Sequence, residues 1–348
     1  MQEESILMAP KAVCFGEIML RLSTPGFQRF VQAESFDVTY GGGEANVAVS
    51  LANFGLDAYF VTKVPANPIG QSAVNHLRRF GVKTDYIVRG GGRLGIYFLE
   101  SGAAQRPSQV VYDRAHAAIA EARPDDFNWA EIFAGAGWFH FTGITPALSD
   151  NVAEITRQAV QKAKEMGLTV SCDLNFRKKL WSSEKANRVM SELVKYVDLC
   201  IANEEDAEKV FGIKAADTDI TGGRLSDAGY RDVARQLVER FGFRWVAITL
   251  RESRSASDNG WSALLYDGRE YYKSRKYDIH IVDRVGGGDS FGGGLIYALL
   301  SGKKPQEAID FAVAASCLKH TIPGDFNMVS VAEVEALAGG DGSGRVQR

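Results

Sequence analysis

Short apolar runs alternate with longer amphipathic stretches along most of the chain. The runs are AVCFGEIML (12–20), AYFVTKV (58–64), GWFHFTG (137–143), LTVSCDLN (168–175), VDLCIAN (197–203) and RWVAITL (244–250). Between them, residues 44–54, 70–80, 149–166, 184–194, 207–211 and 230–241 repeat apolar side chains at helical spacing. Runs rich in β-branched residues predict strands, and the 3.6-residue spacing between them predicts helices that carry the chain from one strand to the next. Such crossovers join parallel strands and cover both faces of the sheet. The pattern therefore predicts a doubly wound α/β fold with a mainly parallel sheet flanked by helices.

Two regions depart from this rhythm. Residues 21–40 (RLSTPGFQRFVQAESFDVTY) and 91–116 (GGRLGIYFLESGAAQRPSQVVYDRAH) alternate polar and apolar positions between turn formers, which suits antiparallel strands. A small β-sheet built from these two insertions would form a lid over the C-terminal edge of the main sheet, where ligands of open α/β sheets gather. The α/β domain is expected over 11–335, and the Gly-rich tail AGGDGSGRVQR (338–348) is expected to be disordered.

Composition narrows the partners. With 348 residues, 45% hydrophobic and 24% charged, the chain has enough apolar material for a large core. A formal net charge of -3 gives no global attraction to nucleic acid or to an anionic membrane, so an anionic substrate must be met by locally placed Arg or Lys. Cys14, Cys172, Cys200 and Cys317 form no CxxC pair and read as reduced core residues, and the five histidines show no metal spacing. There is no basic-then-apolar leader and no unbroken span of 18 apolar residues, so the expected location is the cytoplasm.

The chemistry concentrates in two glycine clusters. No GxxxxGK[ST] loop is present, and the first strand lacks the GxGxxG turn of dinucleotide-binding folds. DRVGGGDSFGGGLIYALL (283–300) instead places Asp289 among six glycines at the start of an apolar helix. The backbone N–H groups of Gly286, Gly287 and Gly288 would make an anion-binding concavity there. An acid beside a bound phosphate acts best on the group that attacks it, as acceptor of that group's proton. Gly292, Gly293 and Gly294 suit close helix packing. The second cluster, YGGGEANVAVSLANFG (40–55), sets Glu44 and Asn46 at a helix mouth. Two readings stand equally for that pair: hydrogen bonding to a polyol, or a first-turn acid with a cap.

GGGEANVAVSLANFG and DRVGGGDSFGGG together resemble the two hallmark regions of the ribokinase-like (PfkB) family of carbohydrate kinases, and the resemblance spans residues 11–335. Within the family, HFTGITPALS (140–149), CDLNFRKKLW (172–181) and the segment around Tyr112 and Arg114 are most similar to the 2-keto-3-deoxygluconate kinases. The resemblance implies transfer of a phosphoryl group from ATP, with Mg²⁺ and in some members a monovalent cation such as K⁺, to the 6-hydroxyl of a sugar acid. It implies Asp289 as catalytic base and the Gly286–Gly288 N–H groups as anion hole. Gly42, Gly43, Glu44 and Asn46 fall where the sugar hydroxyls are held, and Tyr97 and Tyr112 where lid strands touch the sugar. Arg114 and Arg177 match positions that meet the carboxylate and the phosphates, Asn175 lies beside them, and Asn203, Thr249 and Arg251 match nucleotide-side positions. Asp206, in NEED, stands where the family usually carries Glu at a position that reaches the metal through water, a role that Glu204 or Glu205 could share. A homo-oligomer is expected, because a small lid sheet has exposed edges. The chain departs from the family pattern in TLRESRSASDNGWSALLYDG (249–268), where Arg and Glu stand at positions that commonly carry glycine, and at Arg284, where a small hydroxyl residue is common.

The same fold with another substrate, as in a fructokinase or another sugar-acid kinase, and a catalytically silent sugar sensor are the alternatives. A carboxylated substrate calls for Arg in the site, which a neutral sugar does not.

Overall fold

The computed structural model describes residues 10–215 and 227–344. The apolar run at 12–20 divides between two sheets. Lys11–Phe15 (β1) lies in the main sheet, Gly16, Glu17 and Ile18 carry the chain out of it, and Met19–Ser23 (β2) begins the lid. Asp37–Gly41 (β3) returns beside β2, and the chain re-enters the core through Gly43–Asn53 (α1), Asp57–Val64 (β4), Pro68–Arg79 (α2) and Ile87–Arg89 (β5). A second excursion supplies Gly95–Glu100 (β6) and Gln109–Asp113 (β7). A short helix, Trp129–Ile132 (α3), leads into alternating units: Ala136–Thr142 (β8), Asp150–Glu165 (α4), Thr169–Asp173 (β9), Ser183–Leu193 (α5), Leu199–Ala202 (β10), Glu204–Phe211 (α6), Asp227–Phe241 (α7) and Trp245–Ser253 (β11). Asp258–Tyr266 (β12), Tyr271–Lys273 (β13) and Tyr277–His280 (β14) follow, and Gly287–Leu300 (α8), Pro305–Lys319 (α9) and Val331–Gly339 (α10) close the fold.

The main sheet runs β13-β12-β11-β10-β9-β8-β1-β4-β5, with β14 also on β12. From β11 to β5 every pairing is parallel, as expected for strands joined by crossover helices. The polar stretch RESRSASDN (251–259) spans the end of β11 and the start of β12. The two strands form an antiparallel hairpin in which Arg251 pairs with Trp261, closed by Ser255, whose hydroxyl accepts the Asp258 N–H at 2.9 Å. Several helices begin where the sequence offers a side-chain cap: Asn67, Ser149, Ser182, Asn203 and Ser330 each accept a first-turn N–H. Helix α10 runs to Gly339, so the first two residues of the expected disordered tail are helical, and residues 345–348 lie outside the described part of the chain.

Strand alternation splits the core in two. Val13 and Phe15 point to one face, toward Phe139, Phe141 and the α4 and α5 side chains Ile155 and Met190, while Ala12 and Cys14 point to the other, toward α1, α8 and α9. Cys14, Cys172 and Cys200 are buried, and the four cysteines are unbridged. Helix α8 is wedged between α1 and α9 with almost no clearance. A Cβ added to Gly293 would stand 2.6 Å from the Ser50 Cβ, and one on Gly294 3.0 Å from the Ala312 Cα.

The lid is a four-stranded sheet ordered β3-β2-β6-β7. Its inner face presents Met19, Tyr97 and Leu99 to Val110 and Val285, and its outer face exposes Val38 and Val111. A buried ionic cluster fastens it to the core. The Arg21 guanidinium donates to Asp283 at 2.5 Å and to Asp325 at 2.6 Å, and the Tyr97 hydroxyl donates to the other Asp325 oxygen at 2.5 Å. Removing one partner of such a cluster leaves charge uncompensated away from water. Arg21→Ala should therefore lower unfolding stability by about 3–5 kcal/mol in denaturant titrations, whereas Lys195→Ala, which breaks an exposed pair with Glu192, should cost under about 1 kcal/mol. Equal costs would contradict the fastening role.

Candidate active site

The C-terminal ends of β8, β9, β10 and β11 meet the starts of α1 and α8 around a cavity of about 370 Å³. Its lining includes Gly42, Gly43, Asn46, Tyr97, Tyr112, Arg114, Asn175, Arg177, Asn203, Asp206, Thr249, Arg251, Gly286, Gly288 and Asp289. These come from both halves of the chain, and the edge of the parallel sheet together with the small sheet's β6 and β7 brings them together. A larger basin of about 1050 Å³ adjoins it beneath β7 and shares Tyr112, Arg114, Arg177, Asn203 and Asp206.

At the centre, Asn46 joins the two helix starts. Its Oδ1 accepts the Gly42 N–H at 3.2 Å, and its Nδ2 donates to Asp289 Oδ2 at 2.6 Å. Burial pushes the Asp289 carboxyl up to about 6, the Asn46 hydrogen bond works against that, and the Asp325 and Glu44 carboxylates add to it. The group thus ionises near neutrality and holds one oxygen toward the cavity wall formed by Gly43, whose Cβ position would lie 3.7 Å from Asp289 Oδ1.

Gly286 adopts a left-handed conformation at φ 80° with its α-carbon against the Asp325 carbonyl, where any side chain would collide. The first-turn N–H groups of α8, Gly288 among them, have no carbonyl four residues back within the helix, which leaves a partial positive charge at the cavity floor. Gly287 does not line the cavity. Its N–H donates to the Arg284 carbonyl at 3.3 Å, and its α-carbon rests on the His320 ring.

Glu44 also lies elsewhere than expected. It is buried below the cavity, where one oxygen accepts from the Thr142 N–H at 2.9 Å and from the Thr145 hydroxyl at 2.6 Å, and burial raises its pKa. It ties α1 to the end of β8. Arg114 is ion-paired with the buried Glu17 and lies 5.4 Å from the Tyr112 ring centre, so its head is oriented from below and beside. Arg114 Nε and Glu17 Oε1 are buried without a hydrogen-bond partner. The Arg251 guanidinium lies 5.2 Å from the Trp261 ring centre.

On the opposite wall, Asn175 is a non-glycine residue at φ 37°, held there by its N–H to Asp173 Oδ1 at 3.1 Å, and it turns the chain so that exposed Arg177 follows. Asn203 caps α6 through the Asp206 N–H at 2.7 Å, and Asp206 accepts from the Phe176 N–H at 2.9 Å. Burial raises Asp206 to about 6, and burial with repulsion from Asp206 and Asp289 raises Asp173 further. Asp173, Asp206 and Asp289, together with Asp325, thus border one cavity that Arg177 shares. Among the described residues no three His, Cys, Asp or Glu side chains converge on a point that would hold a metal. This donor set suits a hard cation held mainly by phosphate oxygens and water, with Asp206 at one remove.

Sequence reasoning missed Asp173, Asp325 and Trp261, and noted Arg284 without placing it in the site; all four line the cavity. Asp173 ends a strand at the ligand edge, a signal present in CDLN. Asp325 follows a glycine in a turn after α9, a setting too common to stand out.

A profile of the pfkB family carbohydrate kinases matches residues 9–330. The chain belongs to this family. A 2-dehydro-3-deoxygalactonokinase of Haloferax volcanii is 35% identical over 96% of this chain and 98% of its own length. A 2-dehydro-3-deoxygluconokinase of Thermoproteus tenax is 27% identical over 90% of this chain and 89% of its own. The crystal structure of a 2-dehydro-3-deoxygluconokinase from Thermotoga maritima superposes with a TM-score of 0.92 at 56% identity, over 95% of this chain and all of that one. The PfkB chain is thus a carbohydrate kinase of ribokinase-like fold and resembles sugar-acid kinases. Among its described residues no helix is long and apolar enough to cross a membrane.

The Asn46 hydrogen bond favours the ionised form of Asp289. Asn46→Ala should raise the Asp289 pKa above about 6, read from carboxyl-carbon NMR shifts against pH. An unchanged midpoint would mean that the contact does not tune the carboxylate.

Proposed function

We propose that this PfkB chain transfers the γ-phosphoryl group of ATP to the 6-hydroxyl of 2-keto-3-deoxygluconate, giving 2-keto-3-deoxy-6-phosphogluconate. The observation that carries the reading is the pairing, in one cavity, of Asp289 at the glycine-lined start of α8 with Arg114 and Arg177 on the opposite side. Asp289 accepts the proton of the attacking hydroxyl, and the α8 first-turn N–H groups, with Gly286 and Gly288 admitting close approach, bear the charge that develops on the phosphoryl oxygens. Arg114, braced by Glu17 and Tyr112, and Arg177 meet the substrate carboxylate and the phosphates. Gly42, Gly43 and Asn46 face the sugar hydroxyls, and Tyr97 and Tyr112 close the lid side. Asn175, Asn203, Thr249 and Arg251 form the nucleotide side. Mg²⁺, when bound with ATP, neutralises phosphate charge, with Asp206 in reach through water.

Arginine at the acceptor side favours an acid over a neutral sugar, and the names of the similar proteins divide between gluconate and galactonate forms. The exposed outer face of the lid, with Val38 61% and Val111 51% accessible, supports a homo-oligomer in which a second copy covers it.

A coupled ADP-release assay with both keto-deoxy acids, fructose and ribose tests the reading. The keto-deoxy acids should exceed the neutral sugars by about a hundredfold in kcat/KM, about 2.7 kcal/mol of transition-state binding. A neutral sugar turning over best would overturn the acid assignment. Asp289→Asn should lower kcat by about 10²–10⁴-fold and leave the acceptor's dissociation constant nearly unchanged. Near-normal turnover would remove Asp289 from the base role.

A further inference from the structure

Behind the glycine loop lies a full charge that the reaction as written does not use. Lys319, in the last turn of α9, is 0% exposed. Lysine is almost never buried to that extent without specific partners. Its ammonium donates to the Asp283 carbonyl at 3.1 Å and to the Ile322 carbonyl at 3.5 Å. Asp283 is the residue from which the loop springs. Its carboxylate accepts from Arg21, from the Val285 N–H at 3.0 Å and from the Gly324 N–H at 3.0 Å.

The same turn of α9 supports the loop at two further points. The Ser316 hydroxyl donates to the Gly287 carbonyl at 2.7 Å, and the His320 ring underlies the Gly287 α-carbon. A helix C-terminus carries partial negative charge, and this one is aimed at a loop built to receive an anion. Asp283 and Asp325 add two carboxylates beside it, and Arg21 answers them from the lid side alone. Without a cation at the end of α9, the field behind the loop would oppose phosphate binding. Burial lowers the Lys319 pKa, and the Asp283 and Asp325 carboxylates counter that and favour its charged form.

We propose that the Lys319 ammonium is a built-in cation that holds the loop from Asp283 to Gly288 in its phosphate-receiving shape and takes the place a bound monovalent ion would otherwise fill. Lys319 is a positioning residue, since it reaches the phosphate only through the Asp283 carbonyl and the loop. The inference rests on the kinase reading of the same site.

The test compares the wild-type chain with Lys319→Met and Lys319→Ala in steady-state assays with K⁺, Na⁺ or choline as the only monovalent cation, and with added NH₄⁺. The wild type should keep the same kcat in all three salts. Lys319→Met, which fills the space without charge, should lower kcat about ten- to a hundredfold with the acceptor KM little changed, and no cation should restore it. Lys319→Ala should regain part of its activity when NH₄⁺ or K⁺ enters the vacated space, a response that a purely structural lysine would not give. Severalfold activation of the wild type by K⁺ would overturn the proposal, and so would a folded Lys319→Met enzyme with wild-type kcat and KM. Should neither variant fold, the wild-type salt series still decides. A wild-type chain that phosphorylates no acceptor in any salt would instead overturn the kinase reading itself, a result distinguishable from the others because turnover is then absent rather than altered by salt or substitution.

Discussion

The 2.6 Å hydrogen bond between Asn46 and Asp289 requires two helix starts to meet at one point, and most of the structure serves that meeting. Helices α1 and α8 leave the same sheet edge and approach so closely that Gly293 has no room for a methyl group beside Ser50. On its other flank α8 abuts α9 through Gly294 and Ala312. A side chain at Gly293 would push α8 off α1 and one at Gly294 would push it off α9, and either shift would disturb the contact between Asn46 and the carboxylate. The second glycine triplet thus sets the position of the acid that the first triplet surrounds.

Charge is arranged around this point in layers. Asp173, Asp206 and Asp289 border the cavity, and burial keeps their pKa values above the usual carboxylate range. Behind the glycine loop, Asp283 and Asp325 are held by Arg21 of the lid. The lid is therefore joined to the phosphate side by ions as well as by the apolar contacts of Met19, Tyr97 and Leu99. A movement of the lid acts directly on the residues that shape the loop, because Tyr97 and Arg21 grip the same Asp325 carboxylate. Tyr97 and Arg21 thus couple the small sheet to the loop that precedes α8.

The alternation of apolar runs and amphipathic stretches made the parallel sheet and its helices legible, because each crossover helix keeps one polar face. It failed where periodicity carries no topological information. AVCFGEIML is continuous in sequence but changes sheets at Gly16, and nothing in its hydropathy marks the exit. Helix α9 is buried on nearly all sides, so it shows little helical amphipathicity, and Lys319 at its end looks like an ordinary solvated basic residue. The hairpin after β11 is concealed by RESRSASDN, a polar segment that reads as loop. At the site, residues lying in the two glycine clusters or at strand ends were readable from local chemistry. Glu44 reads as a site acid because its position at the helix mouth is right, yet its side chain turns inward to Thr142 and Thr145. Asp325 was not readable, since its importance comes from Arg21 and Tyr97, which lie about three hundred and two hundred residues away in sequence.

Asp289, its pKa raised to about 6 by burial, is the base of the proposed reaction in its ionised form. The dependence of kcat/KM on pH between about 4.5 and 8 tests this role most directly. The base is active when deprotonated, so the profile should be level above neutrality, reach half its maximum near the value of about 6 set by the carboxyl's surroundings, and fall about tenfold per pH unit below that. A profile that stays level down to about pH 4.5 in a folded enzyme would contradict the account, because a carboxylate with this burial would by then be protonated.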